Sequence, residues 1–324
     1  MKRCPITYEP VSEGDYSLRG LKLLHKELTS LEPLNYTAEQ QRAEAIDRVG
    51  KMSLQGVQLK LSAILKIKQG RFELVDRNGR FILKPPSKDF AELPENEDLT
   101  MRLAAAAGIE VPVHGLVYGR DRSLTYFIKR FDRVGANRIP LEDFAQLSGA
   151  SRETKYESSM EKVAEVVSRY TTFPAIEKVK LWERTLFSFL VGNEDMHLKN
   201  FSLITRQQGV VALAPAYDLL NSTIALKNAK EEMALPIRGK RSRLTRADLV
   251  DYFGGERLEI NEKVRAEVRA RFESAFPVWD DLLSKSFLTR ENKHAYAEVL
   301  ESRKRALDIR PLGPLSSRNA GFFR

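Results

Sequence analysis

The sequence predicts an α+β protein with a small, strand-rich first part and a larger helical second part. Short apolar runs, several of them alternating with polar residues, follow one another within residues 57–133, as is typical of strands. From about residue 141 onward, apolar residues recur at helical spacing. The 324 residues are enough for one large or two ordinary hydrophobic cores. We therefore expect a first lobe at 1–133, a second lobe at 134–310 and a loose tail at 311–324.

Composition excludes several classes of protein. With 42% hydrophobic and 30% charged residues, the chain is typical of folded rather than disordered proteins. No apolar run approaches the roughly 20 residues of a membrane span, and no apolar segment follows the basic start as in a secretory signal. The single cysteine, Cys4, fits a reducing compartment, so we expect a cytoplasmic protein without a membrane partner.

The net charge of +9 raises the question of nucleic-acid binding. Only residues 237–246 are locally dense in basic side chains, and this stretch contains no aromatic residue on which a base could stack. A basic, solvated surface is the favoured interpretation.

The first lobe contains several local signals. Thr37 and Gln40 have the spacing of a capping box, which predicts a helix start. Alternation from Val57 to Ala63 predicts a strand that pairs with residues 71–75. Gly56, just before it, could let the backbone approach a phosphate or could simply bend a hairpin.

A lysine and a glutamate in the first lobe are candidate ligands. Lys84 ends a short apolar strand, and Glu97 lies in the first turn of a helix that Pro94 opens and Gly108 closes. In a kinase such a carboxylate positions the lysine that binds ATP. The alternatives are a solvated lysine and a glutamate that interacts with the helix dipole. A further strand at 124–133 runs into polar sequence, where a hinge with free backbone groups is expected.

The candidate chemical centre lies in the second lobe. A nearly all-apolar helix at 174–192 leads to Asp195 and Asn200, and a predicted hairpin at 201–213 leads to Asp218. An aspartate five residues before an asparagine, with a second aspartate beyond a hairpin, can orient a hydroxyl and hold Mg²⁺ for phosphoryl transfer. Turns and helix caps also use Asp and Asn, so the motif alone leaves both interpretations open.

Four segments in this order resemble the bacterial HipA-type kinases, the toxin halves of toxin–antitoxin pairs. They are Ser53–Lys60, Ile128–Arg133, Gly192–Ser202 and Pro215–Asp218. The resemblance covers roughly residues 45–310. It implies a two-lobed protein-kinase-like fold and ATP-dependent phosphorylation of a serine on an aminoacyl-tRNA synthetase, which inhibits translation and growth.

The resemblance also implies roles for single residues. Asp195 would be the catalytic aspartate, Asn200 and Asp218 would hold Mg²⁺, and Glu97 would support Lys84. Ser53 would be an autophosphorylation site that turns the kinase off. The residues implied in ATP binding are Gln55, Gly56, Val57, Gln58, Leu59, Lys60, Lys84, Lys129, Arg130, Phe131, His197, Leu198, Lys199, Asn200, Tyr217 and Asp218.

Two departures from the family pattern matter. Some relatives carry a second serine where this chain has Gln55, so a doubly phosphorylated switch is not expected. Only 52 residues precede Ser53, which resembles the short, HipT-like class. The resemblance then implies two partners: a small separate protein that supplies the missing N-terminal subdomain, and a helix-turn-helix antitoxin. DNA would be contacted only indirectly, through the antitoxin complex.

Two other functions stay open. Asp195, His197 and Asn200 also fit the Asp-x-His-x-x-Asn pattern of phosphoinositide-type kinases, so a small-molecule or lipid kinase is one alternative. A non-catalytic component of a DNA-bound repressor complex is the other alternative. The presence of all four candidate residues argues against it: Lys84, Asp195, Asn200 and Asp218.

Overall fold

The computed structural model describes residues 2–49, 58–135, 137–150, 154–226 and 231–309. Its first half is built on an antiparallel five-stranded sheet with the strand order β2-β1-β3-β5-β4. The strands are β1 (Leu61–Lys66), β2 (Arg71–Leu74), β3 (Phe81–Lys84), β4 (His114–Tyr118) and β5 (Leu124–Lys129).

The first strand begins later than the alternating pattern predicts, at Leu61 instead of near Val57. Leu61 pairs with Leu83 of β3; in the same register Lys60 would face Lys84, and Leu59 and Gln58 would face Pro85 and Pro86. Proline has no backbone N–H and cannot extend a ladder of hydrogen bonds, which ends the pairing there. Residues 58–60 are consequently free of the sheet and can lie over its end.

Two helices come before this sheet in the sequence, and a third lies between its strands β3 and β4. They are α1 (Leu18–Leu24), α2 (Ala38–Val49) and α3 (Leu93–Ala106). The predicted capping box of α2 is confirmed, because the Gln40 N–H donates to Thr37 Oγ1 at 3.2 Å and the Thr37 N–H donates to Gln40 Oε1 at 3.1 Å. The helix α3 packs between the sheet and the second half of the chain, and Gly108, at φ +80°, follows its end.

The second half of the chain is mainly helical, as predicted. Its helices are α4 (Phe144–Leu147), α5 (Met160–Tyr170), α6 (Pro174–Leu190), α7 (Ser222–Ala225), a π-helix (Ala247–Arg257), α8 (Glu262–Lys285) and α9 (Arg290–Ala306). The side chains of α6 are buried on nearly every face. This helix ends at Leu190, and two residues later Gly192 has φ +67°, where a Cβ atom would lie 2.7 Å from Thr223 Oγ1. Glycine therefore permits the chain to turn there into the segment that contains Asp195.

Short strands complete the second half. They are β6 (Arg133–Val134), β7 (Asn137–Arg138), β8 (Leu141–Asp143), β9 (Ser202–Thr205) and β10 (Val211–Leu213). The predicted hairpin after Asn200 is confirmed as β9 and β10, with β8 added at its other edge. Strands β9 and β10 lie between Asp195 and Asp218 in the sequence. Because these strands pair antiparallel, the start of β9 and the end of β10 lie at the same end of the hairpin.

Two hydrophobic cores hold the molecule together. The smaller core lies among α1, the loop that follows it, and one face of the five-stranded sheet. The larger core contains residues of α3, β4 and β5 together with most of the helical half, so the two halves share one core across the predicted boundary at residue 133. No helix in the described ranges is long and apolar enough to cross a bilayer.

Candidate active site

A charge cluster of Lys60, Lys84, Glu97 and Asp218 lies at the end of the five-stranded sheet. Lys84 Nζ is 2.5 Å from Glu97 Oε1 and 2.5 Å from Asp218 Oδ1. Lys60 Nζ binds the other oxygen of Asp218, Oδ2, at 2.9 Å. Strand β3 positions Lys84 and helix α3 positions Glu97, so the pair is held by two regular elements.

Burial and charge act against each other in this cluster. Lys84 is 1% exposed and Glu97 is 0% exposed. Burial alone would lower the pKa of Lys84, but Asp218 and Glu97 outweigh it and raise that pKa above its ordinary value. Burial raises the pKa of Glu97, against the opposing effect of Lys84. Burial also opposes ionisation of Asp218, yet Lys84 and Lys60 hold its pKa well below the usual range. The cluster therefore keeps a cationic Lys84 beside an anionic Asp218.

A cleft of 640 Å³ opens beside this cluster. That volume lies in the range of small-molecule and cofactor sites. Its walls combine β3 and the end of β5 with the segment around β8, and its lining includes Lys60, Ile82, Lys84, Ile128, Lys129, Arg130, Phe131, Lys199, Ser202, Tyr217 and Asp218. Phe131 stacks on Tyr217 with ring centroids 5.7 Å apart. The Tyr217 hydroxyl lies 2.5 Å from Ser202 Oγ and donates to the Lys199 backbone oxygen at 3.2 Å.

The structure narrows the predicted adenine contacts. The Lys129 N–H donates to the Val113 oxygen and the Arg130 N–H donates to the Arg80 oxygen, both at 2.8 Å. These two donors are used within the protein. Of the three residues predicted to offer backbone groups, Phe131 remains the candidate donor for an adenine edge.

The segment Gly192–Asn200, which we name the catalytic loop after the role predicted for Asp195, directly precedes Phe201 and strand β9. The Asp195 side chain is 48% exposed, and its Oδ1 accepts a hydrogen bond of 2.6 Å from the Tyr156 hydroxyl. The Asn200 Nδ2 donates to the Asp195 backbone oxygen at 2.7 Å. This bond links the two ends of the segment from Asp195 to Asn200. It uses the amide nitrogen of Asn200 and leaves the amide oxygen for another partner.

His197 is buried within this loop. Its Nε2 lies 2.7 Å from Lys155 Nζ and 3.9 Å from Asp195 Oδ1. Burial lowers the pKa of His197, with the cation of Lys155 adding to the effect and Asp195 opposing it. We use the name loop cluster for Lys155, Tyr156, Asp195 and His197.

The predicted site residues fall into four groups. The cleft lining holds Lys60, Lys84, Lys129, Arg130, Phe131, Lys199, Tyr217 and Asp218. Gln58 donates to Glu97 Oε2 at 3.3 Å, and Leu59 lines a neighbouring smaller cavity. His197, Asn200 and Asp195 belong to the catalytic loop, where Leu198 is buried in the larger core. Ser53, Gln55, Gly56 and Val57 lie outside the described residues.

Asn200 and Asp218 fit the predicted magnesium site in part. Within the described residues, no three His, Cys, Asp or Glu side chains come together as a metal-binding group. A magnesium ion that binds with a nucleotide needs only one or two protein ligands, because phosphates and water supply the rest. The Asp218 carboxylate and the Asn200 amide oxygen meet that need. The carboxylate is partly exposed, but Lys60 and Lys84 now bind both its oxygens.

Sequence reasoning missed Lys155 and Tyr156. They are the two central residues of a four-residue turn before α5, in a stretch without regular spacing or a known motif. The bond from Tyr156 to Asp195 spans 39 residues and the contact of Lys155 with His197 spans 42, so no local pattern could reveal them.

Comparison with known proteins identifies relatives of the chain. A family model described as the HipA-like C-terminal domain matches residues 52–279. A protein of Sinorhizobium fredii named "Putative kinase Y4dM" is 36% identical over 211 residues, which cover 61% of this chain and 51% of that relative. The serine/threonine-protein kinase toxin HipA of Shewanella oneidensis is 29% identical over 215 residues, covering 60% of this chain and 48% of the relative. The chain thus spans about half the length of these curated relatives.

A solved structure is similar over most of the chain. It is a chain of the Shewanella oneidensis toxin–antitoxin complex of HipA, HipB and its operator DNA, with a TM-score of 0.63 at 21% identity. The similarity covers 88% of this chain and 76% of that one. At this identity the similarity establishes the fold alone. The resemblance to HipA-type kinases and the two-lobed, kinase-like α+β fold are both confirmed.

Proposed function

The chain belongs to the HipA-like C-terminal domain family, and from that premise we propose that it is an ATP-dependent serine/threonine protein kinase. One observation carries the proposal: a buried lysine, Lys84, is paired with a helix carboxylate, Glu97, and reaches Asp218 at the edge of a cleft of nucleotide size. A lysine–glutamate pair of this kind positions ATP phosphates in protein kinases.

Each side of the cleft has its own part in binding ATP. Phe131 would offer its N–H to the adenine edge, and the stacked Phe131 and Tyr217 rings would form an apolar wall. Lys84 would donate to the phosphates while Glu97 holds its ammonium in place. Lys60 has a 45% exposed side chain and would turn from Asp218 to the phosphates.

The chemical step would take place between Asp218 and the catalytic loop. Asp195 would accept the proton of the acceptor hydroxyl as the hydroxyl oxygen attacks the γ-phosphorus and the bond to ADP breaks. Asn200 and Asp218 would hold Mg²⁺, which neutralises charge on the phosphates when it is bound. Release of Lys60 and Lys84 from Asp218 would free the carboxylate for this task.

Membership of the family also suggests a physiological setting. We propose that the chain is the toxin of a toxin–antitoxin system and that it phosphorylates an aminoacyl-tRNA synthetase in the cytoplasm, which would inhibit translation. Autophosphorylation of Ser53 would switch the kinase off. A small protein that supplies an N-terminal subdomain and a helix-turn-helix antitoxin would be its partners, and DNA would be bound through the antitoxin. The relative's solved complex with HipB and operator DNA supports this arrangement.

Incubation of the purified chain with Mg²⁺, γ-labelled ATP and cell extract tests the proposal. We expect label in a protein band that mass spectrometry identifies as a synthetase, and a second phosphate on Ser53. Label in lipid or a metabolite would favour the alternative class of kinase. Equal labelling by wild type and by Asp218→Asn would contradict the assignment of Asp218.

A further inference from the structure

A turn of four residues, Thr154–Glu157, packs against the catalytic loop. The turn is closed by a bond of 2.8 Å from the Glu157 N–H to the Thr154 oxygen. Its two central residues, Lys155 and Tyr156, contact the catalytic loop.

Three hydrogen bonds join this turn to three different loop residues. The Tyr156 hydroxyl donates to Asp195 Oδ1 at 2.6 Å, and Lys155 Nζ lies 2.7 Å from His197 Nε2. The Leu198 N–H donates to the Lys155 backbone oxygen at 3.3 Å. Two of these bonds use side chains and one uses the backbone, so a side-chain substitution removes one contact at a time.

Ring packing adds two further contacts within the loop cluster. The Tyr156 ring meets the His197 ring edge-on, with centroids 5.0 Å apart, and Lys155 Nζ lies 4.8 Å from the centroid of the Tyr156 ring. A lysine ammonium has donors only, so His197 Nε2 must accept and its proton must be on Nδ1. Burial lowers the pKa of His197, in agreement with a neutral ring.

Asp195 needs such support because its side chain is 48% exposed. An exposed carboxylate samples several rotamers, and each misplaced rotamer removes the base from the acceptor hydroxyl. The Tyr156 hydroxyl fixes Oδ1 and leaves Oδ2 for the acceptor. Burial and the neighbouring Asp195 both raise the pKa of Tyr156, so the phenol keeps the proton that it donates.

We propose that Tyr156 and Lys155 are positioning residues for phosphoryl transfer, with Tyr156 holding the Asp195 carboxylate towards the acceptor and Lys155 holding His197 beneath it. The proposal rests on the proposed kinase function. It assigns to the turn a task that is separate from ATP binding, since both side chains contact the catalytic loop and neither lines the cleft.

Tyr156→Phe is the sharpest variant, because it removes the hydroxyl and keeps the ring that packs on His197. We expect kcat for phosphate transfer to fall about tenfold to a hundredfold with KM for ATP unchanged. Tyr170→Phe is a matched control: Tyr170 is 38% exposed, close to the 37% of Tyr156, and lies at the end of α5 away from the loop. It should behave as wild type. Wild-type or higher kcat in Tyr156→Phe would overturn the positioning task.

A second measurement needs no catalysis. Amide hydrogen exchange of residues 195–200, followed by mass spectrometry, should be several-fold faster in Tyr156→Phe than in wild type or Tyr170→Phe. Lys155→Met should also accelerate it, although the Lys155 backbone bond to Leu198 remains. If the wild type transfers no phosphate, the proposed kinase function is wrong, while hydrogen exchange still tests whether Tyr156 and Lys155 hold the catalytic loop. Unchanged exchange in both variants would refute the proposal by itself.

Discussion

The charge cluster and the loop cluster are the two parts of the candidate site, and they differ in burial and in the elements that carry their residues. Lys84 and Glu97 are almost fully buried and stand on a strand and a helix. Asp195 and Tyr156 are partly exposed and stand on loops. Buried charges are costly when one partner is lost, whereas exposed polar groups tolerate substitution. Variants of the buried Lys84–Glu97 pair should therefore lose stability and activity together, and variants of Asp195 and Tyr156 should lose activity alone.

The largest effect is expected from Asp195→Asn in the loop cluster. The amide keeps the shape of the side chain but cannot accept the acceptor's proton, so kcat should fall about 10²–10⁴-fold. The free energy of unfolding should change by less than about 1 kcal/mol, because the side chain is half exposed. Transfer kinetics and urea unfolding on the same preparation measure kcat and the free energy of unfolding. A large loss of stability would erase the contrast between the two clusters.

Lys84→Met should give the opposite pattern in the charge cluster. It leaves the fully buried Glu97 without its cation, which costs about 3–5 kcal/mol of unfolding free energy, and it also abolishes phosphate transfer. The double variant Lys84→Met/Glu97→Leu should regain most of the stability and none of the activity, as urea unfolding and a transfer assay would measure. Equal stability of the single and double variants would mean that the pair is not energetically coupled.

Glu95 adds a pH dependence to the helix that carries Glu97. Burial raises the pKa of Glu95 from 4.5 to about 7. A carboxyl with a raised folded-state pKa contributes stability at low pH and loses it as the pH rises through the folded value. Between pH 5 and 8, wild type should therefore lose about 2 kcal/mol relative to Glu95→Gln. Urea unfolding at the two pH values measures the free energy of unfolding of both proteins. The same change with pH in wild type and Glu95→Gln would contradict the prediction.

Lys60→Met should give the smallest effect. Lys60 is the exposed member of the charge cluster, so its ion pair with Asp218 should contribute less than about 1 kcal/mol to stability. We expect a KM for ATP that rises a few-fold, because a phosphate contact is lost, and a difference that shrinks at high salt. A loss of stability as large as that of Lys84→Met would place Lys60 with the buried groups.

Sequence patterns predicted much of the fold. Local spacing predicted the strand that ends at Lys84, the strand that begins at Leu124, the helix carrying Glu97, the apolar helix α6 and the hairpin between Asn200 and Asp218. The strand from Leu124 ends at Lys129, four residues before the predicted end at Arg133. The start of β1 was predicted too early. Its position depends on which residues of β3 it faces, and the prolines that end the pairing lie in that other strand.

Local sequence determined which side chains this protein offers for chemistry and at which ends of strands and helices they lie, because hydrophobic periodicity and capping act over a few residues. Tertiary structure decided which of them meet. Lys84 reaches Asp218 across 134 residues, Lys60 reaches it across 158, and Tyr156 reaches Asp195 across 39. Such contacts form only when the shared core brings α3 and the central strands against the helical half, since packing between distant segments leaves no periodic trace in either one.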